Sequence, residues 1–316
     1  MDTPLDVVIV SYNCREALIR CIESLASFRS RSVLRTVVVD NASVDGTVEA
    51  IRERFPDVTV IANDQNLGFA AGCNQGILNA SGDMVLLLNP DCRLTESAVD
   101  ALLWSLSNRP DAACIAPRLV KNGHTSSPVY AGVVSLREFA GKMLLLGKLA
   151  RLVRAVIKRL SNDKSTPQLG DEAVREVDYV EGACVLCRRI ALVSVGLLDP
   201  GYFLFFEDQD LCVRLRERGY QVFAHDGVAV EHEQGVSANQ DVKRTILESY
   251  RSLCYFFRRH RSTSSIRALK CLIGLGALIR VVLFSFARVL GRPNSAKRAA
   301  AYVSVVKELV LVSGEG

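Results

Sequence analysis

Met84-Val85-Leu86-Leu87-Leu88-Asn89-Pro90-Asp91 is the stretch on which the fold turns. Five apolar residues without polar alternation read as a strand buried on both faces, and therefore a central one. Pro90 restricts the backbone of Asn89 and stiffens the turn, which leaves Asp91 at the carboxyl edge of a sheet. Towards the N-terminus the same unit recurs. Val7 to Val10 leads into polar Ser11-Tyr12-Asn13 and a helical pattern through Leu18, Ile22 and Leu25. Thr36 to Val39 leads into Asp40-Asn41 and a helix from about Thr47 to Arg54. Val58 to Ile61 leads through a polar loop to Asn66-Leu67-Gly68 and a helix of small residues ending at Asn79. Strands alternating with helices imply right-handed βαβ units, an α/β fold and a mostly parallel sheet. Ligands are then expected beyond the carboxyl ends of the strands, where the polar residues fall.

Towards the C-terminus a second region runs from about Pro117 to Gly235. It holds a long basic helix candidate, a strand pair near Val177–Tyr179 and Ala183–Cys187, and the acidic cluster Glu207-Asp208-Gln209-Asp210. From Asp241 to Gly316 the pattern is helical throughout.

With 316 residues, 49% of them hydrophobic and 23% charged, the chain has the makings of a proper core. Its ten cysteines lie mostly inside apolar runs of a chain too long to need a disulfide framework, which fits a reducing cytosol. Cys184-x-x-Cys187 has no second pair and reads as buried thiols rather than a zinc or redox site. No secretory signal is apparent at the N-terminus. The net charge of +5 is unevenly placed, with six basic residues and no acidic one between Phe139 and Asn162. A nucleic-acid partner is not expected.

Asp91 has two readings on spacing alone. A carboxylate at a sheet's carboxyl edge suits a hard divalent cation that keeps some water and shares a diphosphate. It is equally placed to cap the helix that starts near Thr95. Asp40, at the end of a second parallel strand, is placed to accept hydrogen bonds from a base or ribose. No G-x-G-x-x-G follows the first strand, and Gly68-x-x-x-Gly72-x-x-x-Gly76 lacks the Lys-Ser/Thr of a P-loop, so dehydrogenase and P-loop readings lose their support.

Four segments together resemble glycosyltransferase family 2, in that family's order. They are Val8-Ile9-Val10-Ser11-Tyr12-Asn13, Val39-Asp40-Asn41-Ala42-Ser43-x-Asp45-Gly46-Thr47, Asn66-Leu67-Gly68-Phe69-Ala70-x-Gly72-x-Asn74-x-Gly76, and Leu88-Asn89-Pro90-Asp91. The resemblance spans residues 5 to 240 and is nearest the rhamnosyltransferase-like branch. It implies a GT-A fold with a helical C-terminal extension. Residues 1–240 would form the transferase domain, 1–116 its nucleotide-sugar half and 117–240 its acceptor half, with 241–316 separate. It further implies a nucleoside-diphosphate sugar donor, such as dTDP-L-rhamnose, a divalent Mg²⁺ or Mn²⁺, and inversion at the anomeric carbon. Ser11, Asn13, Asp40, Asn66, Gly68, Asn74 and Asn89 would line the donor, and Asp91 would bind the metal, since Asn89 replaces the family's first Asp. His232 falls where the family can place a second metal ligand. Glu207-Asp208-Gln209-Asp210-Leu211 matches its E-D-x-D-L segment, making Asp208 the general base, with Glu207 and Asp210 beside it. Gly182 in Glu181-Gly182-Ala183-Cys184 would let substrate approach the backbone. A non-catalytic nucleotide-sugar-binding protein of the same fold is the rival; it predicts a missing base or metal ligand, whereas Asp91, Asp208 and His232 are all present.

Two segments suggest a membrane. Between Leu145 and Leu160 apolar residues share one helical arc, with Lys148, Arg151, Arg154, Lys158 and Arg159 opposite, the pattern of a basic amphipathic helix. From Ala268 to Leu290 the chain is more apolar still, but Arg280 near its centre makes a span expensive. An interfacial or monotopic element is favoured, with a buried helix or a homo-oligomer contact as alternatives. The expected setting is the cytoplasmic face of the cell membrane, beside a polyprenyl-diphosphate-linked glycan acceptor.

Overall fold

The computed structural model describes residues 5–28, 34–125, 133–143, 173–233, 241–291 and 295–311. The basic amphipathic segment 145–160 lies outside them. The chain divides into two compact units, Met1–Val133 with Glu172–Gln240, and Val134–Asp171 with Asp241–Gly316.

The first unit carries the sheet. Its opening half runs β1 (Leu5–Ser11), α1 (Arg15–Ala26), β2 (Leu34–Asp40), α2 (Thr47–Arg54), β3 (Thr59–Ala62), α3 (Phe69–Asn79) and β4 (Met84–Leu88). β1, β2, β3 and β4 are parallel, with Ser11 opposite Asp40 at the carboxyl edge. β4 is buried at every position, as its uninterrupted apolar run requires. α3 presses onto β1 because Gly76 has no side chain there: a Cβ would stand 2.2 Å from Val8 Cγ1.

Beyond β4 come β5 (Cys92–Arg93), α4 (Glu96–Ser107), β6 (Ala112–Lys121), β7 (His124–Thr125), α5 (Leu136–Met143), β8 (Val174–Glu176), β9 (Cys184–Arg188), α6 (Arg189–Ser194), α7 (Glu207–Glu217) and β10 (Gln221–His232). The strand order is β3-β2-β1-β4-β9-β6-β10-β5. The strand pair expected between 177–179 and 183–187 does not form. β9 instead enters the sheet antiparallel between β4 and β6, where its apolar Cys-Val-Leu-Cys face is buried, while Val174–Glu176 pairs with β10. α4 is capped by Thr95, whose hydroxyl accepts from the Ala98 N–H, so the helix-cap reading of Asp91 is removed.

The second unit is helical. α8 (Val242–His260), α9 (Thr263–Val289), α10 (Ser295–Val305) and a π-helical turn (Val306–Leu311) pack with α5, whose Phe139 ring meets Tyr250 edge-on. α9 is long and apolar enough to cross a membrane.

Candidate active site

The strand tips converge through polar side chains. Asp40 is buried, and its two carboxylate oxygens accept from the Ser43 N–H at 2.8 Å and the Ser43 hydroxyl at 2.6 Å. Asn13 has a positive φ and accepts from the Val44 N–H, which ties the β1 tip to the loop after β2. The buried Ser11 hydroxyl lies 3.4 Å from the Cys14 thiol. Asn66 accepts from the Gly68 N–H, and Gly68 has φ +88° with Phe203 O where a Cβ would go. Asn74 bonds the backbone of Leu198 with both its amide oxygen and nitrogen, so its polar atoms anchor a loop. Asn41, Asn63 and Gln75 form an amide chain between β2 and α3 that the sequence did not single out.

Asp91 and His232 meet. His232 Nε2 is 3.1 Å from Asp91 Oδ1, both residues are buried, and His232 Nδ1 is a buried nitrogen without a partner among the described residues. The pairing follows from register, since His232 lies opposite Cys92 where β10 meets β5 antiparallel. Asp91, Cys92 and His232 bring their ligand atoms within 4.8 Å of one another. Burial raises the Cys92 thiol well above its ordinary pKa, and its S–H points to Ala183 O at 3.4 Å. One carboxylate and one imidazole remain as ready donors, a set that could hold Mg²⁺ or Mn²⁺ with places left for phosphate oxygens and water.

The acidic cluster opens α7. Phe205 and Phe206 before it both have left-handed backbones, with φ 71° and 68°, a strained pair of the kind that collects at functional sites. Asp208 is half-buried and accepts from the Gly182 N–H at 3.1 Å and from the Gln209 N–H at 2.7 Å. Burial pushes its carboxyl up, although these backbone donors oppose the shift. Glu207 is buried and pushed further up, by burial and then by the Asp208 charge. Asp210, expected beside them as an alternative base, is fully buried with Arg214 Nε at 2.7 Å and the Tyr202 hydroxyl at 3.3 Å. Those bonds hold Asp210 within α7, whereas Asp208 and Glu207 line an apolar recess with Phe69, Leu87 and Gly182.

The strand end that carries Asp91 and the acidic helix share a bridge. The Asn89 N–H donates to Ala183 O at 2.8 Å, and the Gly182 N–H donates to Asp208. Two consecutive residues thus tie Asn89 to Asp208. A second support was missed in the sequence. The Glu233 N–H donates to Asp91 O at 3.0 Å. The Glu233 carboxylate accepts from Arg20 of α1 at 3.0 Å and from Arg93 of β5 at 2.7 Å, and the Lys121 ammonium bonds its carbonyl. Its signal in the sequence was only a Glu directly after His232.

A parallel N-terminal half, an antiparallel β9 and paired polar groups at the strand ends define a GT-A-like fold. Residues 6–151 match the model of Glycosyl transferase family 2, and the chain carries a domain of that family. It is a glycosyltransferase by that match and by its relatives. The N-acetylglucosaminyl-diphospho-decaprenol L-rhamnosyltransferase of Mycobacterium tuberculosis is 29% identical over 85% of this chain and 88% of its own length. The low-salt glycan biosynthesis hexosyltransferase Agl10 of Haloferax volcanii is 24% identical over 83% and 76%. Among solved structures, the mannosyltransferase PcManGT from Pyrobaculum calidifontis, in complex with GDP-Man and Mn²⁺, aligns with TM-score 0.55 at 15% identity over 100% of this chain and 89% of that one. GalNAc-T7 with UDP, GalNAc and Mn²⁺ aligns with TM-score 0.54 at 17% identity over 81% and 50%.

Proposed function

We propose that the chain is an inverting, metal-dependent glycosyltransferase. It moves a sugar, L-rhamnose from a dTDP donor, onto a polyprenyl-diphosphate-linked glycan at the cytoplasmic face of the membrane, where it sits peripherally or monotopically. The observation that carries the reading is the buried Asp91–His232 pair, joined through Ala183 and Gly182 to Asp208. The sugar and acceptor rest on the mycobacterial relative's name.

Asp91 and His232 would hold the divalent ion, which neutralises charge on the departing diphosphate when bound. Asp40 and the tips of β1 and β2 would seat the nucleoside. Asp208 receives the proton of the acceptor hydroxyl as its oxygen attacks the anomeric carbon. The bond from that carbon to the diphosphate oxygen breaks on the opposite face, its electron pair leaves with the nucleotide, and configuration inverts. The Gly182 N–H keeps the Asp208 carboxylate aimed, and a Cβ at this position would stand in ordinary contact with Asp208, 3.5 Å from its Cβ.

A donor screen tests this. Release of dTDP, UDP or GDP is measured with Mn²⁺ or Mg²⁺ and a lipid-linked acceptor. Release from dTDP-L-rhamnose alone is the expected result. Release from a different donor overturns the sugar, and release from none favours the non-catalytic binding protein.

A further inference from the structure

The outward side of α9 is one continuous apolar stripe. Cys271, Leu275, Leu278, Val282, Phe286 and Val289 recur at intervals of three and four residues and share one helix face. All are exposed, Val282 by 69%, Phe286 by 64% and Val289 by 82%. At 1.5 Å per residue the stripe is about 27 Å long. The opposite face carries buried Leu269, Ile273 and Ala277. Arg280 lies on that inner face too, donating to Gly276 O at 3.0 Å with its guanidinium 5.8 Å from the Tyr302 ring centre. The charge that speaks against burying this helix in lipid is therefore turned away from the stripe.

The surrounding charge chooses the occupant. From Ser249 to Lys307 there are twelve lysines and arginines and no aspartate or glutamate. On a helix of 3.6 residues per turn, Arg267 borders the stripe, while Lys270 and Arg288 lie further round, towards the inner face. A second copy of the chain would fit the apolar face but would bring like charges together, which opposes association. An anionic lipid surface satisfies both features, accepting the apolar side chains at the acyl boundary and the cations among its phosphates.

We propose that α9 docks lengthwise on an anionic lipid bilayer through the stripe from Cys271 to Val289. The inference takes up the membrane location of the proposed function and does not depend on the donor or the metal. Cys271 supplies the probe, being exposed on the stripe while the other nine cysteines are buried. The full chain, labelled at Cys271 with a polarity-sensitive fluorophore, is mixed with vesicles of phosphatidylglycerol or of phosphatidylcholine. Co-sedimentation with the phosphatidylglycerol vesicles, weakened by salt, with emission moving to shorter wavelength, is expected. V282D/F286D, at exposed positions, should lower the partition coefficient roughly a hundredfold, the burial of two apolar side chains being lost. Sedimentation without an emission change, or a V282D/F286D variant that binds as the parent does, overturns the stripe while sparing the membrane location. No sedimentation with either vesicle overturns both. A dimer that V282D/F286D converts to monomer, without vesicle binding, assigns the face to a second copy and overturns the proposal.

Discussion

His232 Nε2 lies 3.1 Å from Asp91 Oδ1, brought there by a ladder between β5 and β10 only two residue pairs long. The two side chains come from distant parts of the chain, and neither alone offers more than one donor. Replacing His232 with Ala should raise the Mn²⁺ concentration needed for half-maximal activity by tenfold or more, about the cost of a lost metal contact. An unchanged metal titration would exclude His232 from the site.

So short a ladder needs support, and Glu233 provides it through Asp91 O, Arg20 and Arg93. Partly exposed ion pairs of this kind contribute only about 0–1 kcal/mol to stability. Glu233→Gln should therefore leave the melting temperature nearly unchanged, yet weaken Mn²⁺ binding about tenfold through looser ligand placement. Free Mn²⁺ followed by electron paramagnetic resonance reads the binding without reference to turnover. Equal affinity in parent and variant would leave Glu233 a plain surface residue.

Asp208→Asn keeps the size of the side chain, gives up one of its two backbone N–H contacts and cannot serve as the base. Turnover should fall by about 10²–10⁴-fold, with nucleotide affinity, measured by calorimetry, close to that of the parent. Substantial remaining turnover would move the base elsewhere.

The pH profile follows from the same residue. Burial pushes the Asp208 carboxyl up to about 6. A general base works only when deprotonated, so kcat/KM should be on its plateau above that value and fall tenfold per pH unit below it. A profile flat down to pH 4.5 would contradict an elevated base.

Gly76→Ala probes the packing under the site. The added Cβ would stand 2.2 Å from Val8 Cγ1, on a stiff β-branched side chain in a buried strand. Overpacking at its upper range costs about 3 kcal/mol, and the gain in helix propensity returns about 1. Thermal melting should show a net loss of about 2 kcal/mol.

Much of this was legible before any coordinates. Parallel strands buried on both faces leave unbroken apolar runs, and their polar tips follow at once, so Ser11, Asp40 and Asp91 could be placed directly. β9 was harder. Its sequence, Cys-Val-Leu-Cys-Arg, says that it is buried but not between which strands, and the expected pairing with 177–179 gave way to insertion between β4 and β6. Asp210 and Asp208 are alike in sequence; that Arg214, one helical turn on, takes up Asp210 and not Asp208 shows only once α7 is docked. The apolar content of α9 was plain, but which way Arg280 points depends on Tyr302 in another helix. Glu233 carried no motif, because its work is done through partners on α1, β5 and β6.

The two-residue bridge at Gly182-Ala183 makes two contacts depend on one strand register. A one-residue slip of β9 against β4 would take Ala183 O from the Asn89 N–H and Gly182 from Asp208 in the same move. An insertion there would therefore displace the Asn89 contact and the Asp208 contact together, with no register that keeps one without the other.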